Sequence, residues 1–98
     1  MSDEYRIKLD GVVSLGPMVE HLSPFGLRVV NSNDDLLWLS YDHADQEQLK
    51  NWGGHVRIER EGGGLFVTFN GAANRKGLIT AIESAIASQG VVATVEDI

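Results

Sequence analysis

Apolar residues alternate with polar ones, or cluster in short runs, along six stretches of the chain. Tyr5, Ile7 and Leu9 alternate with charged residues, which is the pattern of a strand with one buried face. Clusters of turn-forming residues at 31–35 and 62–64 each separate two such stretches, so both predict a β-hairpin. Strands are predicted over residues 5–11, 27–30, 36–41, 55–61, 65–69 and 91–95.

Three helices are predicted between these strands. Pro17 favours the first turn of a short helix, which Ser23-Pro24 and Gly26 stop. Asp42 is placed to cap a helix of about two turns, which the two glycines after Trp52 end. The last helix is predicted over residues 74–90, because five apolar residues recur there at helical spacing. These residues are Leu78, Ile79, Ile82, Ala85 and Ile86.

The predicted order of elements is β-α-ββ-α-ββ-α-β. Strands joined by short turns pair antiparallel, and strands with one apolar face need a second layer to cover that face. We therefore predict an α+β fold, with a mainly antiparallel sheet of about six strands and two or three helices on one face. At 98 residues the chain has the size of one domain, so residues 1–98 are predicted to form a single α+β domain.

The composition excludes several classes of protein and site. With 43% hydrophobic and 22% charged residues, the chain has the usage of a globular protein rather than a disordered one. It contains no cysteine, which excludes disulfide scaffolds, zinc–thiolate sites and cysteine nucleophiles. The first residues form no apolar leader, and no stretch approaches the roughly 20 apolar residues of a membrane span. We therefore expect a cytoplasmic protein without a membrane partner.

The charge of the chain is strongly acidic. Fourteen Asp and Glu residues outnumber eight Lys and Arg residues, which gives a formal net charge of −6. Binding to nucleic acid requires clustered basic residues, so we expect no nucleic-acid partner. An acidic surplus keeps a protein soluble, and it also speeds the encounter with a basic partner.

Acidic residues concentrate between Asp34 and Glu47, a window that contains no Lys or Arg. Their oxygen atoms suit a hard cation, with His43 as a nitrogen ligand, but the spacing does not match an EF-hand loop. A turn followed by a capped helix explains the same residues. A third interpretation is an acidic contact surface for a basic protein. We predict no metal site and leave the other two interpretations open.

No pattern in the chain indicates catalysis, so we predict that the protein is not an enzyme. The serines lack the surroundings of an activated nucleophile, and the three histidines lack metal-site spacing. The glycines at 62–64 join two strands, unlike a phosphate-binding loop, which leads into a helix. Residues 70–77, with Arg75 and Lys76, could hold an anion at a helix start, but a solvated helix start is the favoured interpretation. We predict no catalytic residue and no cofactor.

These observations favour a small acidic protein that acts by binding another protein. The most specific form of this hypothesis is an inhibitor or immunity-type protein that blocks a partner with a basic surface. Exposed tryptophans would anchor such a contact. The predicted partner-binding residues are Asp34, Asp35, Trp38, Asp42, Asp45, Glu47 and Trp52.

The alternative is a regulatory or oligomerising α+β module. Such a module pairs through a sheet edge or face, as a homodimer does, and holds a small ligand in an apolar pocket. A stable dimer and a preformed pocket would distinguish this module from an inhibitor, which needs neither. An enzyme whose site carries no recognisable motif is a third hypothesis.

Overall fold

The computed structural model describes residues 2–41 and 54–98, which form six strands and two α-helices. The strands are β1 (Ser2–Leu9), β2 (Leu27–Ser32), β3 (Leu36–Tyr41), β4 (Val56–Glu61), β5 (Gly64–Asn70) and β6 (Ala93–Asp97). The helices are α1 (Met18–Leu22), which continues into a 3-10 turn at Ser23–Phe25, and α2 (Arg75–Ala87).

The described strands form one sheet in the order β2-β3-β4-β5-β1-β6, and every neighbouring pair is antiparallel. From β2 to β5 the strands follow one another as a meander. β1 pairs with the far side of β5, and β6 pairs with β1, so that β2 and β6 form the two edges. The predicted α+β class, with a six-stranded antiparallel sheet, is confirmed.

The predicted number and order of helices are not confirmed. Residues 2–41 and 54–98 follow the order β-α-β-β-β-β-α-β, with two α-helices rather than three. The helix predicted after Asp42 falls within residues 42–53, which lie outside the described residues. Pro17 occupies the N-cap position of α1, and Gly26, with φ of 82°, ends the 3-10 turn. The last helix stops at Ala87, three residues before the predicted end.

The first and last strands start at positions that differ from the prediction. β1 begins at Ser2, because its first residues pair with the end of β5, where Asp3 lies opposite Phe69. β6 begins at Ala93 rather than at residue 91. Asp10 fixes this start, since its carboxylate accepts the Val92 N–H at 2.8 Å and its own N–H donates to the Val92 carbonyl at 3.2 Å. Both boundaries therefore depend on partners far away along the chain.

The core lies between one face of the sheet and the two helices. Alternate residues of the strands point into it, as the period of two in a strand requires. Each fully buried leucine or isoleucine contributes about 1.5–3 kcal/mol relative to an exposed one. The buried apolar side chains include Ile7, Leu37, Leu39, Val56, Ile58, Leu65, Val67 and Phe69 from the sheet, and Met18, Leu22, Leu78, Ile82, Ala85 and Ile86 from the helices. No described helix covers the opposite face of the sheet.

Candidate protein-binding face

The face of the sheet opposite the helices, which we call the outer face, presents two rows of side chains across four strands. The strand register places Trp38, Arg57, Thr68 and Glu4 in one row. It places Leu36, Glu59, Phe66 and Arg6 in the next row. Neighbouring side chains on one face of a sheet lie within contact distance, so the two rows form one continuous surface.

The centre of the outer face is a stacked pair of Trp38 and Arg57. The Arg57 guanidinium carbon lies 4.8 Å from the centroid of the Trp38 ring system, which is cation–π geometry. Glu59 holds the guanidinium from the same strand, with Arg57 Nη2 3.6 Å from Glu59 Oε2. Such a stack contributes about 0.5–1 kcal/mol at a partly exposed site. The indole ring is therefore fixed on the surface by its neighbours across and along the strands.

Two N–H donors of this pair have no acceptor among the described residues. Trp38 Nε1 and Arg57 Nε are both buried, and neither has a hydrogen-bond partner in the part of the chain that the structure describes. A buried tryptophan usually places its N–H against an acceptor, and an unsatisfied donor costs about 1–3 kcal/mol. The outer face thus carries two donors whose hydrogen bonds are not made within the described protein.

The charges of the outer face largely pair with one another. Lys8 Nζ lies 2.9 Å from Glu96 Oε1 between β1 and β6. Arg6 Nη2 lies 3.8 Å from Glu61 Oε1, and Arg57 is held by Glu59 as described above. Exposed pairs of this kind contribute little to stability, about 0–1 kcal/mol each. Their effect is to leave the outer face close to neutral although the whole chain is acidic.

The predicted site residues Asp34 and Asp35 lie in the turn between β2 and β3. Asn33 Oδ1 accepts the backbone N–H groups of Asp35 at 2.8 Å and of Leu36 at 3.1 Å, which closes an Asx turn. Asp35 also forms an ion pair with Arg60, at 3.4 Å between Oδ1 and Nε. Asp34 is exposed. The turn interpretation of these residues therefore has a direct structural basis, and Asp34 presents an exposed charge at the tip of the turn.

Arg60 connects this turn to the helix side of the sheet. Its Nη2 donates to the Asp34 carbonyl at 2.9 Å and to the Val13 carbonyl, in the segment between β1 and α1, at 3.0 Å. The Asp35 carboxylate is therefore drawn towards the helix side, whereas the Trp38 ring lies on the outer face. The structure does not bring these two predicted residues together on one face.

The remaining predicted partner-binding residues cannot be placed. Asp42, Asp45, Glu47 and Trp52 lie within residues 42–53, outside the described residues, as does His43. Among the residues that are described, no group of three or more His, Asp or Glu side chains could hold a metal ion.

A cleft of about 400 Å³ opens at the end of β3, between the start of α2 and the 3-10 turn. Tyr41 and His55 line it, with their ring centroids 4.7 Å apart. The Tyr41 hydroxyl accepts the Ala73 N–H at 3.0 Å, which uses one donor of the loop that was considered for an anion. Arg75, at the start of α2, pairs with the Asp3 carboxylate of β1. The Asp3 carboxylate thus compensates the positive charge of Arg75 at the N-terminal, positive end of the helix dipole.

Ser40 and His55 form a close pair that sequence reasoning did not find. Ser40 Oγ lies 2.7 Å from His55 Nδ1, and the Tyr41 N–H points at the same nitrogen at 3.4 Å. Ser40 is fully buried, so its hydroxyl is out of reach of a substrate. The pair satisfies buried polar groups rather than forming a nucleophile.

The alternation of inward and outward positions along β4 and β5 is enough to predict residues of the outer face from the sequence. In β5, Leu65, Val67 and Phe69 point inward, so Phe66 between them must point outward. In β4 the same rule places Arg57 on the outer face. An aromatic residue at an outward position of a strand is the feature that marks this surface.

Comparison with known proteins finds no matching family model, no matching curated protein and no matching solved structure. Within residues 2–41 and 54–98, no helix is both long and apolar enough to cross a membrane. The function is therefore inferred from the side chains of the outer face.

Proposed function

We propose that the protein acts by binding another protein, and that the outer face around Trp38 and Arg57 makes the contact. The observation that carries this proposal is the stacked pair, whose two N–H donors have no partner within residues 2–41 and 54–98, on a sheet face that no described helix covers. Tryptophan and arginine are the residue types most enriched at the energetic centres of protein interfaces. Both nitrogens are buried in the described structure, so a partner's acceptor oxygens would satisfy them only after the two side chains shift on binding.

The specific form of the proposal is an inhibitor or immunity-type protein that blocks a basic partner. The net charge of −6 supports a basic partner, because it attracts such a protein over long range and accelerates encounter. The charge-balanced outer face then provides short-range contact, which governs dissociation. In this proposal Asp34 contributes to the long-range attraction, and Trp38 contributes to the short-range contact. Asp42, Asp45, Glu47 and Trp52 stay predicted partner-binding residues.

A second candidate is a regulatory module with a small ligand in the cleft beside Tyr41 and His55. The cleft volume of about 400 Å³ falls within the range of small-molecule sites. Its lining combines the aromatic rings of Phe25 and Tyr41 with the polar groups of His55 and Asn74. This candidate predicts binding of a small molecule by the isolated chain, which the protein-binding proposal does not require.

The first test is affinity capture from lysate of the source cells with three forms of the chain: wild type, Trp38→Ala and Val12→Ala. Val12 is 87% exposed and lies away from the outer face, so its truncation controls for surface change. We expect one captured protein that the Val12→Ala form retains and the Trp38→Ala form loses. With the purified partner, Trp38→Ala should accelerate dissociation about 30-fold, the effect of a 2 kcal/mol interface centre.

Trp38→Phe separates the role of the N–H donor from that of the ring. The free energy of unfolding should stay within about 1 kcal/mol of wild type, since the lost donor has no partner among the described residues. Binding should weaken about tenfold, since a partner acceptor would lose its donor. If Trp38→Ala folds normally and still binds the partner with wild-type kinetics, the contact lies elsewhere on the molecule and the proposal fails.

A further inference from the structure

The two edges of the sheet differ in their ability to accept another strand. At one edge, the pairing of β2 with β3 shifts register between Val29 and Asn31, which is a β-bulge. Bulges twist an edge strand and hinder further pairing. At the other edge, β6 pairs with β1 in unbroken register from Ala93 to Asp97. The outward side of β6 is therefore the regular edge of this sheet.

A groove of about 430 Å³ lies between α2 and residues 91–93, which lead into β6. Its walls include the small side chains of Thr80, Ser84 and Ala87 from the helix, together with Val91 and Val92. Val92 is 65% exposed, so it presents apolar surface beside the start of the edge strand. Small residues on α2 permit close approach of a second helix above the edge strand.

Charges on α2 make this side of the molecule complementary to itself. Lys76 and Glu83 are both exposed and lie seven residues apart, so they share one side of the helix about 10 Å apart along its axis. One cleft places Lys76 and Thr80 next to Asp97, at the end of β6. The groove places Glu83 next to Val92, before the start of β6. The helix thus runs antiparallel to β6, with Lys76 and Glu83 on either side of the strand's midpoint.

We infer that two copies of the chain pair about a twofold axis at the middle of β6, with antiparallel β6–β6 contact and the α2 helices side by side. In that arrangement each Lys76 faces the partner's Glu83, because twofold symmetry exchanges the two ends of the helix. A self-complementary patch of this kind closes after two copies. This pairing leaves the outer faces of both copies outside the dimer contact, so the inference is independent of the proposed partner contact.

The test measures the molar mass of the full chain by sedimentation equilibrium at physiological ionic strength, from about 1 µM to about 1 mM. Wild type should show a concentration-dependent dimer. K76E and E83K should each raise the dimer dissociation constant about tenfold, because each turns two attractive contacts into two repulsive ones. The double variant K76E/E83K should restore wild-type dimerisation, since the swap recreates both pairs. E20K, a reversal of an exposed charge on α1, should leave dimerisation unchanged.

A second pair of variants tests which edge is used. Val92→Glu should abolish the dimer, whereas Val29→Glu, on the opposite edge strand and 40% exposed, should not. A monomer at every concentration would overturn the inference. So would a dimer that Val29→Glu disrupts and Val92→Glu spares, or one that the double charge swap fails to restore.

Discussion

Three consecutive glycines in the turn between β4 and β5 permit a graded test of the fold. Gly64 is the first residue of β5 and lies opposite Lys8 of β1. A Cβ atom at Gly64 would overlap the Ile7 carbonyl oxygen of β1, whereas one at Gly63 would have no described atom within 4 Å. Gly62 has φ of 56°, in the left-handed region, with open space around it. A Cβ atom is therefore excluded by a steric contact at Gly64, disfavoured by the backbone conformation at Gly62, and tolerated at Gly63.

The expected losses follow from these differences. Overpacking usually costs about 1–3 kcal/mol, and Gly64→Ala should reach the upper end, since a backbone carbonyl cannot rotate away as a side chain can. Gly62→Ala should cost about 1 kcal/mol for the left-handed conformation. Gly63→Ala should change stability by less than about 0.5 kcal/mol, or raise it slightly by restricting the unfolded chain. A loss of about 3 kcal/mol lowers the Tm of a chain of this size by roughly 12–24 °C.

Chemical denaturation followed by circular dichroism, with thermal melts as a second measure, gives the three free energies of unfolding. Equal m-values across the series would show that each substitution acts on stability rather than on two-state behaviour. The order of loss should be Gly64, then Gly62, then Gly63. If Gly64→Ala is no more destabilising than Gly63→Ala, then β1 does not approach β5 as closely as described, and the reasoning is refuted.

Two further predictions concern the turn between β2 and β3. Arg60→Ala should lower the free energy of unfolding by about 2–3 kcal/mol, because the Arg60 guanidinium donates to the Val13 and Asp34 carbonyls. Asp35→Ala should lower it by less than about 1 kcal/mol, because the Asp35 side chain is 78% exposed. Equal losses for the two variants in urea titrations would contradict this prediction. Asp34→Lys should slow association with the captured partner at low salt without changing the dissociation rate, because Asp34 is proposed to attract the partner over long range. Stopped-flow kinetics at two ionic strengths measure both rates. A change in the dissociation rate alone would disprove this role of Asp34.

Local patterns predicted most of the secondary structure because they report burial on one face. The alternation that places Ile58 of β4 and Val67 of β5 in the core is visible in the sequence, and both strands form there. The spacing of Leu78 and Ile82 likewise predicted the last helix, and both residues are fully buried. These elements carry their own signal, since their period of two or of 3.6 residues follows directly from backbone geometry.

Strand order and boundaries could not be predicted in the same way. Asp3 and Glu4 belong to β1 because they pair with the end of β5, more than sixty residues away, and no local pattern records that pairing. The start of β6 depends similarly on the contact of Asp10 with Val92.

The residues of the outer face could be predicted from the sequence only in part, for a related reason. The run from Leu36 to Leu39 is apolar throughout, so it does not reveal which face Trp38 occupies. Its stacking partner, Arg57, follows only from the register between β3 and β4. The ion pair of Asp35 with Arg60 joins residues that are distant in sequence and could not be foreseen from the acidic window.

The position of β1 has a consequence for how the chain assembles during synthesis. β1 precedes the other described strands, yet its two neighbours in the sheet, β5 and β6, are synthesised after all the other described strands. The meander from β2 to β5 can pair as it emerges, because each strand finds its neighbour directly before it. Ile7 of β1 therefore stays exposed until β5 has been synthesised and can pair with β1. We expect a chaperone that binds exposed apolar strands to act at this stage.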